Sequence, residues 1–361
     1  MKFDDVLVIY NGRNQKAVEN PNGRYPIYGS GGIMGFADDY ICEADTVVVG
    51  RKGSINNPIF VEEPFWNVDT AFGLTARRDI LLPRYLYYFC RNFNFEQLNK
   101  TVTIPSLTKS DLLKIDITLP TLDIQQKIVD RLFKVEQIIQ LRKQQLQKLG
   151  ELVKARFVEM FGDPETNPNG WEQVTVGDVC SSIVRGPFGS ALKKDFFVEP
   201  SNSTYKVYEQ KHAIQKSATI GTYYITEEKY QELKRFECLS GDIIMSCSGT
   251  MGELYQLPER CERGIINQAL CKFTLNNKML PICFLTYMRQ TIGNLETKGS
   301  GIKNIAAVSY VKAMPINLPP MSVQIEFESF CKQTDKSKVA VQKALDASQL
   351  LFDSLMQKYF G

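Results

Sequence analysis

One histidine, His212, is all the imidazole in 361 residues. Metal centres and proton-transfer chemistry usually draw on several, so the His-dependent hydrolases are poor candidates. The nine cysteines are scattered, with no C-x-x-C among them. Zinc knuckles and disulfide frameworks need paired spacing, so reduced and mostly buried thiols are expected. Also missing are a G-x-x-x-x-G-K-[ST] phosphate loop, a dinucleotide fingerprint and a nucleophile elbow. The glycine-laced "YGSGGIMG" at 28–35 matches a phosphate cradle in composition only, because no helical pattern follows it. No run of eighteen apolar residues occurs, so no membrane span is expected. The opening "MKFDDVLVIYNGRN" has acids where a secretory leader needs a basic flank, which makes a cytoplasmic location the expectation. A large excess of charge is lacking as well: the net value is +3. Any nucleic-acid contact must therefore come from local clusters rather than a basic stripe.

What is present is a duplication. The stretch "LPTLDIQQKIVDRL" (119–132) returns as "LPPMSVQIEFESFC" (318–331), with Pro120 and Pro319 standing 199 residues apart (319 − 120). Gln125/Gln324, Leu146/Leu345, Leu152/Leu351, Phe161/Phe360 and Gly162/Gly361 keep that offset without a gap. Upstream, "SDLLKIDITLP" (110–120) faces "SYVKAMPINLP" (309–319), "ADTVVVGRKGSI" (44–55) faces "GDIIMSCSGTM" (241–251), and "NVDTAFGLT" (67–75) aligns loosely with "IINQALCKFTL" (265–275). The chain is written twice, and its length suits two or three domains.

Both bodies are rich in Val, Ile, Tyr, Phe and Thr and are broken often by Gly, Pro and Asn, which predicts short strands and turns. Helices are predicted at 83–99 and 281–296, and a turn region at 25–40. After Pro120, Asp123 reads as an N-cap with Gln126 three residues on. Ile128, Leu132, Val135, Ile139, Leu146, Leu149, Val153 and Met160 then recur at steps of three and four, with Arg142 and Arg156 in the two gaps. That is a heptad seam, the mark of a helix packed on another long helix. The second helix, from Ser322, carries Phe327, Cys331, Val341, Leu345, Phe352, Leu355 and Tyr359 at matching places, with polar Thr334, Lys338 and Ser348 among them. Ala340, Ala344 and Ala347 would let a neighbour approach closely. The expected fold is α+β: strand-rich bodies at 1–118 and 162–318, each followed by a long α-helix (119–161 and 319–361), the two helices packing antiparallel with internal pseudo-two-fold symmetry. The Pro/Gly/Asn-rich stretch 162–173 reads as a boundary.

This ordered set resembles the specificity subunit of type I restriction–modification systems. The matching elements are the two helix starts, "FVEMFGDPETNPNGWEQVTVGDV" (157–179), "IVRGPFGSALKKDF" (183–196), "SGDIIMSCSGTMGE" (240–253) and "YPIYGSGGIMGFADDY" (25–40). No single motif is diagnostic; the tandem arrangement covers nearly the whole chain. The resemblance implies two target-recognition domains that bind double-stranded DNA at a bipartite asymmetric site, on a non-catalytic chain. It also implies helices that dock two modification (methyltransferase) subunits, and restriction (translocase/nuclease) subunits that join this core. S-adenosylmethionine, ATP and Mg2+ would sit on those partners, leaving this chain without cofactor or metal. One departure is visible: the first body lacks the W-x-x-V-x-x-G-D opening found at Trp171–Asp178. A related layout serves as the recognition subunit of type II enzymes with a fused nuclease–methyltransferase partner. A coiled-coil protein-interaction scaffold is the alternative from another class.

Reading DNA needs donors and acceptors held against base edges, with Arg suited to guanine and Asn to adenine, while Lys and Ser meet phosphate. "GRKGSINN" (50–57) offers Arg51, Lys52, Ser54, Asn56 and Asn57. "RGPFGSALKKDF" (185–196) offers Arg185, Ser190, Lys193 and Lys194. Lys211 and His212 fall in "YEQKHAIQK" (208–216), and Ser246, Ser248 and Thr250 in "SCSGTMG" (246–252), which matches the first loop's position. Solvated turns would present the same residue types, and neighbouring Asn267 and Gln268 suit the bonding of buried backbone.

Overall fold

The computed structural model describes residues 1–99, 106–163, 166–297 and 307–361. It divides into two compact units, Met1–Gln145 with Val341–Gly361, and Leu146–Ala340. Each unit thus combines a body with part of both long helices.

In the first unit a short helix α1 (Phe3–Val6) leads into β1 (Leu7–Asn11). The glycine-rich stretch then forms a hairpin, β2 (Tyr25–Gly29) and β3 (Gly32–Ala37), whose turn uses Gly32 at φ +119. Strands β4 (Thr46–Gly50), β5 (Ile59–Val61), β6 (Trp66–Asn67) and β7 (Ala71–Ala76) follow, then α2 (Pro83–Asn92) and α3 (Lys109–Leu112). The main sheet runs β1-β7-β4-β5, all antiparallel. A second runs β3-β2-β6 with β2 and β6 parallel. Strand β4 is apolar on both faces because both are covered. Val47 and Val49 enter the core under α2, while Val48 packs with Cys42 and Phe65 on the other side.

After α4 (Leu122–Phe161), the second unit builds β8 (Glu172–Thr175), β9 (Cys180–Arg185), β10 (Thr204–Tyr208), α5 (Gln210–Ile214), β11 (Tyr224–Thr226), α6 (Glu227–Glu232) and β12 (Glu237–Cys238). It continues through β13 (Ile243–Ser246), β14 (Leu254–Gln256), β15 (Gly264–Ile266), β16 (Leu270–Leu275), α7 (Pro281–Thr297), α8 (Val308–Ala313), β17 (Pro315–Leu318) and α9 (Met321–Phe360). Its main sheet, β9-β16-β13-β14, repeats the order of the first. Its second, β11-β10-β15-β12, again places a parallel pair, β10 and β15, where the first unit has β2 and β6. The duplication therefore extends through both bodies, although their sequences barely show it.

The missing opening of the first body is only partly missing. The Thr175 N–H donates to Asp178 Oδ2 at 2.8 Å, and the Lys2 N–H donates to Asp5 Oδ2 at 3.0 Å. Lys2 also bridges Asp116, as β8 pairs with β17. The acid-closed turn is kept at Asp5, and Met1, whose carbonyl accepts from the Ile117 N–H at 2.8 Å, pairs as Val174 does with Ile316.

The expected cap is corrected by two residues, from Asp123 to Thr121. Helix α4 begins at Leu122, so Asp123 lies in its first turn, and Gln126 donates to Asp130 instead of reaching back. The Thr121 carbonyl accepts from the N–H groups of Ile124 and Gln125. In the first unit Ile128, Leu132, Val135 and Ile139 share a core with Phe352 and Met356, and Leu345 and Leu355 pack against it. Arg142 donates to the Ala344 carbonyl and Ser348 Oγ, and Arg131 to Tyr359 Oη at 3.0 Å. Numbers rise along α4 as they fall along α9, so the pairing is antiparallel. In the second unit the two helices meet again: Phe327 meets Phe157 and Phe161 edge-on at 5.3 and 5.4 Å, Val153 packs on that core, and Arg156 pairs with Glu326 at 2.7 Å. Leu146, Leu149 and Val341, expected in the seam, are only half-buried and belong to neither hydrophobic core. Ala340 and Ala347 are exposed, because neither body's core reaches their face of the helix. Among the described residues no helix is long and apolar enough to cross a membrane.

The two glutamines of the repeat do the same work in each unit. Gln125 Nε2 donates to the carbonyls of Ile80 and Pro120, both at 2.9 Å, and its Oε1 accepts from the Leu82 N–H at 2.9 Å. Gln324 Nε2 donates to Lys278 and Pro319, at 2.9 and 3.0 Å, and its Oε1 accepts from the Leu280 N–H at 2.9 Å. Each amide ties the start of a long helix to the chain entering α2 or α7, satisfying backbone groups that burial has stripped of water.

Candidate nucleic-acid interface

In the first unit three chain segments converge at one end of the main sheet. Strand β1 ends at Asn11, and Gly12 then passes against the Val68 carbonyl so closely that a side chain there would collide. The Arg13 N–H is fixed by the Asn67 carbonyl at 2.8 Å. Strand β4 ends beside it: the Arg51 N–H donates to the Thr70 carbonyl at 2.8 Å, and the Arg51 guanidinium lies 5.8 Å from the Phe72 ring. Gly53, at φ +81, turns the loop back, with Ser30 of the β2–β3 turn next to Gly50 and Gly53. Arg13, Arg51, Lys52 and Ser54 are exposed on this end. Asn56 is used differently. Its Nδ2 donates to Asn94 and its Oδ1 accepts from the Phe95 N–H at 2.7 Å, so it braces the loop on the chain after α2. Asn57, next to it, is exposed.

The second unit assembles the corresponding end from β9, β13 and the β15–β16 turn. Gly186 presses on the Asn267 carbonyl as Gly12 does on Val68. Arg185 Nε donates to the Gln268 carbonyl at 3.1 Å and a terminal nitrogen to that of Cys247 at 3.4 Å, while its guanidinium lies 5.5 Å from the Phe188 ring. Exposed Ser248 donates to Gln210 Oε1 at 3.0 Å, which joins the β13 loop to α5. Thr250 is exposed. Lys211 pairs with Glu209 at 2.7 Å and lies over Tyr223.

Two expected contacts are corrected. His212 is fully buried: Nδ1 accepts from the Glu209 N–H at 2.8 Å, Nε2 meets the Ile220 carbonyl at 2.7 Å, and Gly221 (φ +88) closes on the ring. This arrangement corresponds to a neutral imidazole carrying its proton on Nε2, and burial holds its pKa below the ordinary 6.5. Ser246 is buried too. Its Oγ donates to the Thr250 carbonyl at 2.6 Å and accepts from the Glu253 N–H, so it closes the loop from inside. Both residues are braces with no face left for a ligand. Ser190, Lys193 and Lys194 are exposed, but the neighbouring Leu192 and Phe197 root this segment on the second sheet with Val207 and Ile225, rather than at the Arg185 end. Asn267 accepts from the Ala269 N–H at 3.1 Å and so serves backbone, as expected.

Arg13 and Gln210 were missed from sequence. The one available signal was the glycine after each first strand, Gly12 and Gly186, which marks where the chain crosses the sheet end. The cysteines are free and mostly buried, and burial pushes the Cys42 thiol up to about 12, far from a nucleophile's range.

A family model described as the type I restriction modification DNA specificity domain matches residues 1–151 and again 168–348. The chain belongs to this family. The type I specificity-domain chain is 27% identical over 161 residues to a putative type I specificity subunit of Mycoplasma pneumoniae, covering 39% of this chain and 53% of that one. It is 24% identical over 270 residues to a putative type I restriction enzyme specificity subunit of Haemophilus influenzae, covering 69% and 65%. It thus spans about half to two thirds of those two relatives' length. A type I restriction enzyme specificity subunit of Methanocaldococcus jannaschii is 23% identical over 342 residues, 86% of this chain and 74% of that one. In fold, the specificity-domain chain matches the crystal structure of a type I S subunit from M. genitalium with a TM-score of 0.59, 16% identity, and 100% and 95% coverage. A structure concerning assembly and conformational transition of the type I system gives a TM-score of 0.65 at 16% identity, covering 100% and 96%.

Proposed function

We propose that this chain is the non-catalytic DNA-recognition subunit of a type I restriction–modification complex. Each unit reads one half of a bipartite, asymmetric duplex site with the exposed end of its main sheet. Arg13, Arg51, Lys52 and Ser54 serve in the first unit, and Arg185, Ser248, Thr250 and Gln210 in the second. The long helices dock two modification subunits, and restriction subunits join them. S-adenosylmethionine, ATP and Mg2+ belong to those partners. The observation that carries this reading is the repeated sheet order with unlike side chains at equivalent loop ends. One scaffold built twice and furnished differently suits a site whose halves differ.

The test is selection from a random duplex library by the full chain assembled with its methyltransferase subunits. Two conserved blocks separated by a fixed gap are expected; the absence of any enriched sequence would refute DNA reading and favour the scaffold alternative. Replacing residues 171–318, which keeps β8 with its partner β17, by another body should change one block only. The isolated chain with labelled S-adenosylmethionine and DNA should transfer no methyl group, and transfer would refute the non-catalytic assignment.

A further inference from the structure

Phe188 is 68% exposed, the highest value among the exposed aromatic side chains of the described residues. An exposed ring on a loose loop would mean little, but this one is carried by a pinned segment. The Gly186 N–H donates to the Leu270 carbonyl at 3.0 Å, Gly186 has no room for a side chain against Asn267, and Pro187 is buried. The Arg185 guanidinium, anchored on the carbonyls of Gln268 and Cys247, lies 5.5 Å from the ring. A cation near one side of a ring leaves its remaining surface open to a flat, apolar partner. In the first unit the residue two places after the matching glycine is Asn14, whose Oδ1 accepts from the Lys16 N–H at 2.9 Å. The two sheet ends therefore differ in kind: one presents a fixed aromatic ring, the other an amide.

We propose that Phe188 is a base-stacking wedge, which packs its ring into one base-pair step of the half-site read by the second unit and partly unstacks it. The proposal rests on the DNA reading above. A wedge of this kind favours steps that unstack easily, so it selects pyrimidine–purine steps through deformability rather than through hydrogen bonds. The first unit, with Asn14, reads its half-site without such a distortion.

The experiment uses the full chain assembled with its methyltransferase subunits. Library selection is run on wild type, Phe188→Ala and Phe188→Leu, and the enriched duplex is then labelled with 2-aminopurine at each step in turn. Wild type should raise the fluorescence at one step of one half-site. Phe188→Ala should abolish that rise, weaken binding about tenfold or more, and relax the preference at that step only, while Phe188→Leu, which keeps an apolar wedge, should retain part of each effect. Because the side chain is exposed, thermal unfolding of both variants should match wild type. If wild type enriches a site and Phe188→Ala enriches the same site with unchanged affinity and fluorescence, the wedge is overturned while the DNA reading stands. If wild type enriches nothing, the DNA reading itself has failed.

Discussion

At the scale of single residues, the strongest marks of the duplication are the buried amides of Gln125 and Gln324. Each holds two carbonyls and one N–H that would otherwise be buried without partners. Gln125→Ala should cost about 3 kcal/mol, since leaving even one such group unpaired costs roughly 1–3 kcal/mol. Gln324→Ala should cost the same, and equal shifts in urea midpoint would confirm that the two play one role. His212 makes a pH prediction. Folding holds its pKa below the ordinary 6.5 by burial, so the unfolded chain takes up the proton first. Stability should fall as pH drops through 6.5 and level off once the folded form is protonated as well. A His212→Gln variant should lose that pH-dependent step; an unchanged slope would mean that another group titrates. Sequence showed the glutamine pair only as an offset, and it misplaced His212 altogether. Which side chains face outward depends on how α5 packs beneath Gly221, and no local pattern encodes that.

At the scale of elements, the heptad seam was legible because period 3.5 is written directly in Ile128, Leu132, Val135 and Ile139. Its polar interruptions were legible too, but not how they are satisfied. Thr334 and Ser348 are buried yet satisfied, donating to the carbonyls of Phe330 and Ala344 four residues back at 2.9 and 3.0 Å. Such local bonds let a hydroxyl sit in a seam at little cost. The half-exposure of Leu146 and Leu149 could not be foreseen either, because it depends on where each body's core ends. Strand order in the bodies was likewise hidden, since pairing between β7 and β4 or β16 and β13 joins segments distant in sequence. Energetic weight should follow burial rather than heptad position. Leu132→Ala, fully buried, should cost about 2–5 kcal/mol and Phe327→Ala about 3–5 kcal/mol. Leu146→Ala, half-buried, should cost about 1 kcal/mol or less. Denaturant unfolding of the three variants checks the ranking, and an equal cost for Leu146→Ala would restore it to the core.

At the scale of the whole molecule, α4 and α9 each contribute to both units and meet in each, running antiparallel in the first. If these helices set the gap between half-sites, the gap must respond to their length and to nothing in the bodies. A test has to lengthen both, because an insertion in α4 alone leaves its added turns without a partner. Two heptads placed after Gln145, matched by two before Val341, preserve the 3.5-residue period of the seam. They add about 21 Å of helix at 1.5 Å per residue. At about 3.4 Å per base pair this is close to six base pairs of extra spacer. Library selection with the matched double insertion should therefore return both original blocks, unchanged in sequence and moved apart. The single insertion should unfold more easily and select weakly. If the doubly lengthened chain folds and selects both blocks at the original spacing, the helices are not the ruler, and the gap must be set by the partner subunits.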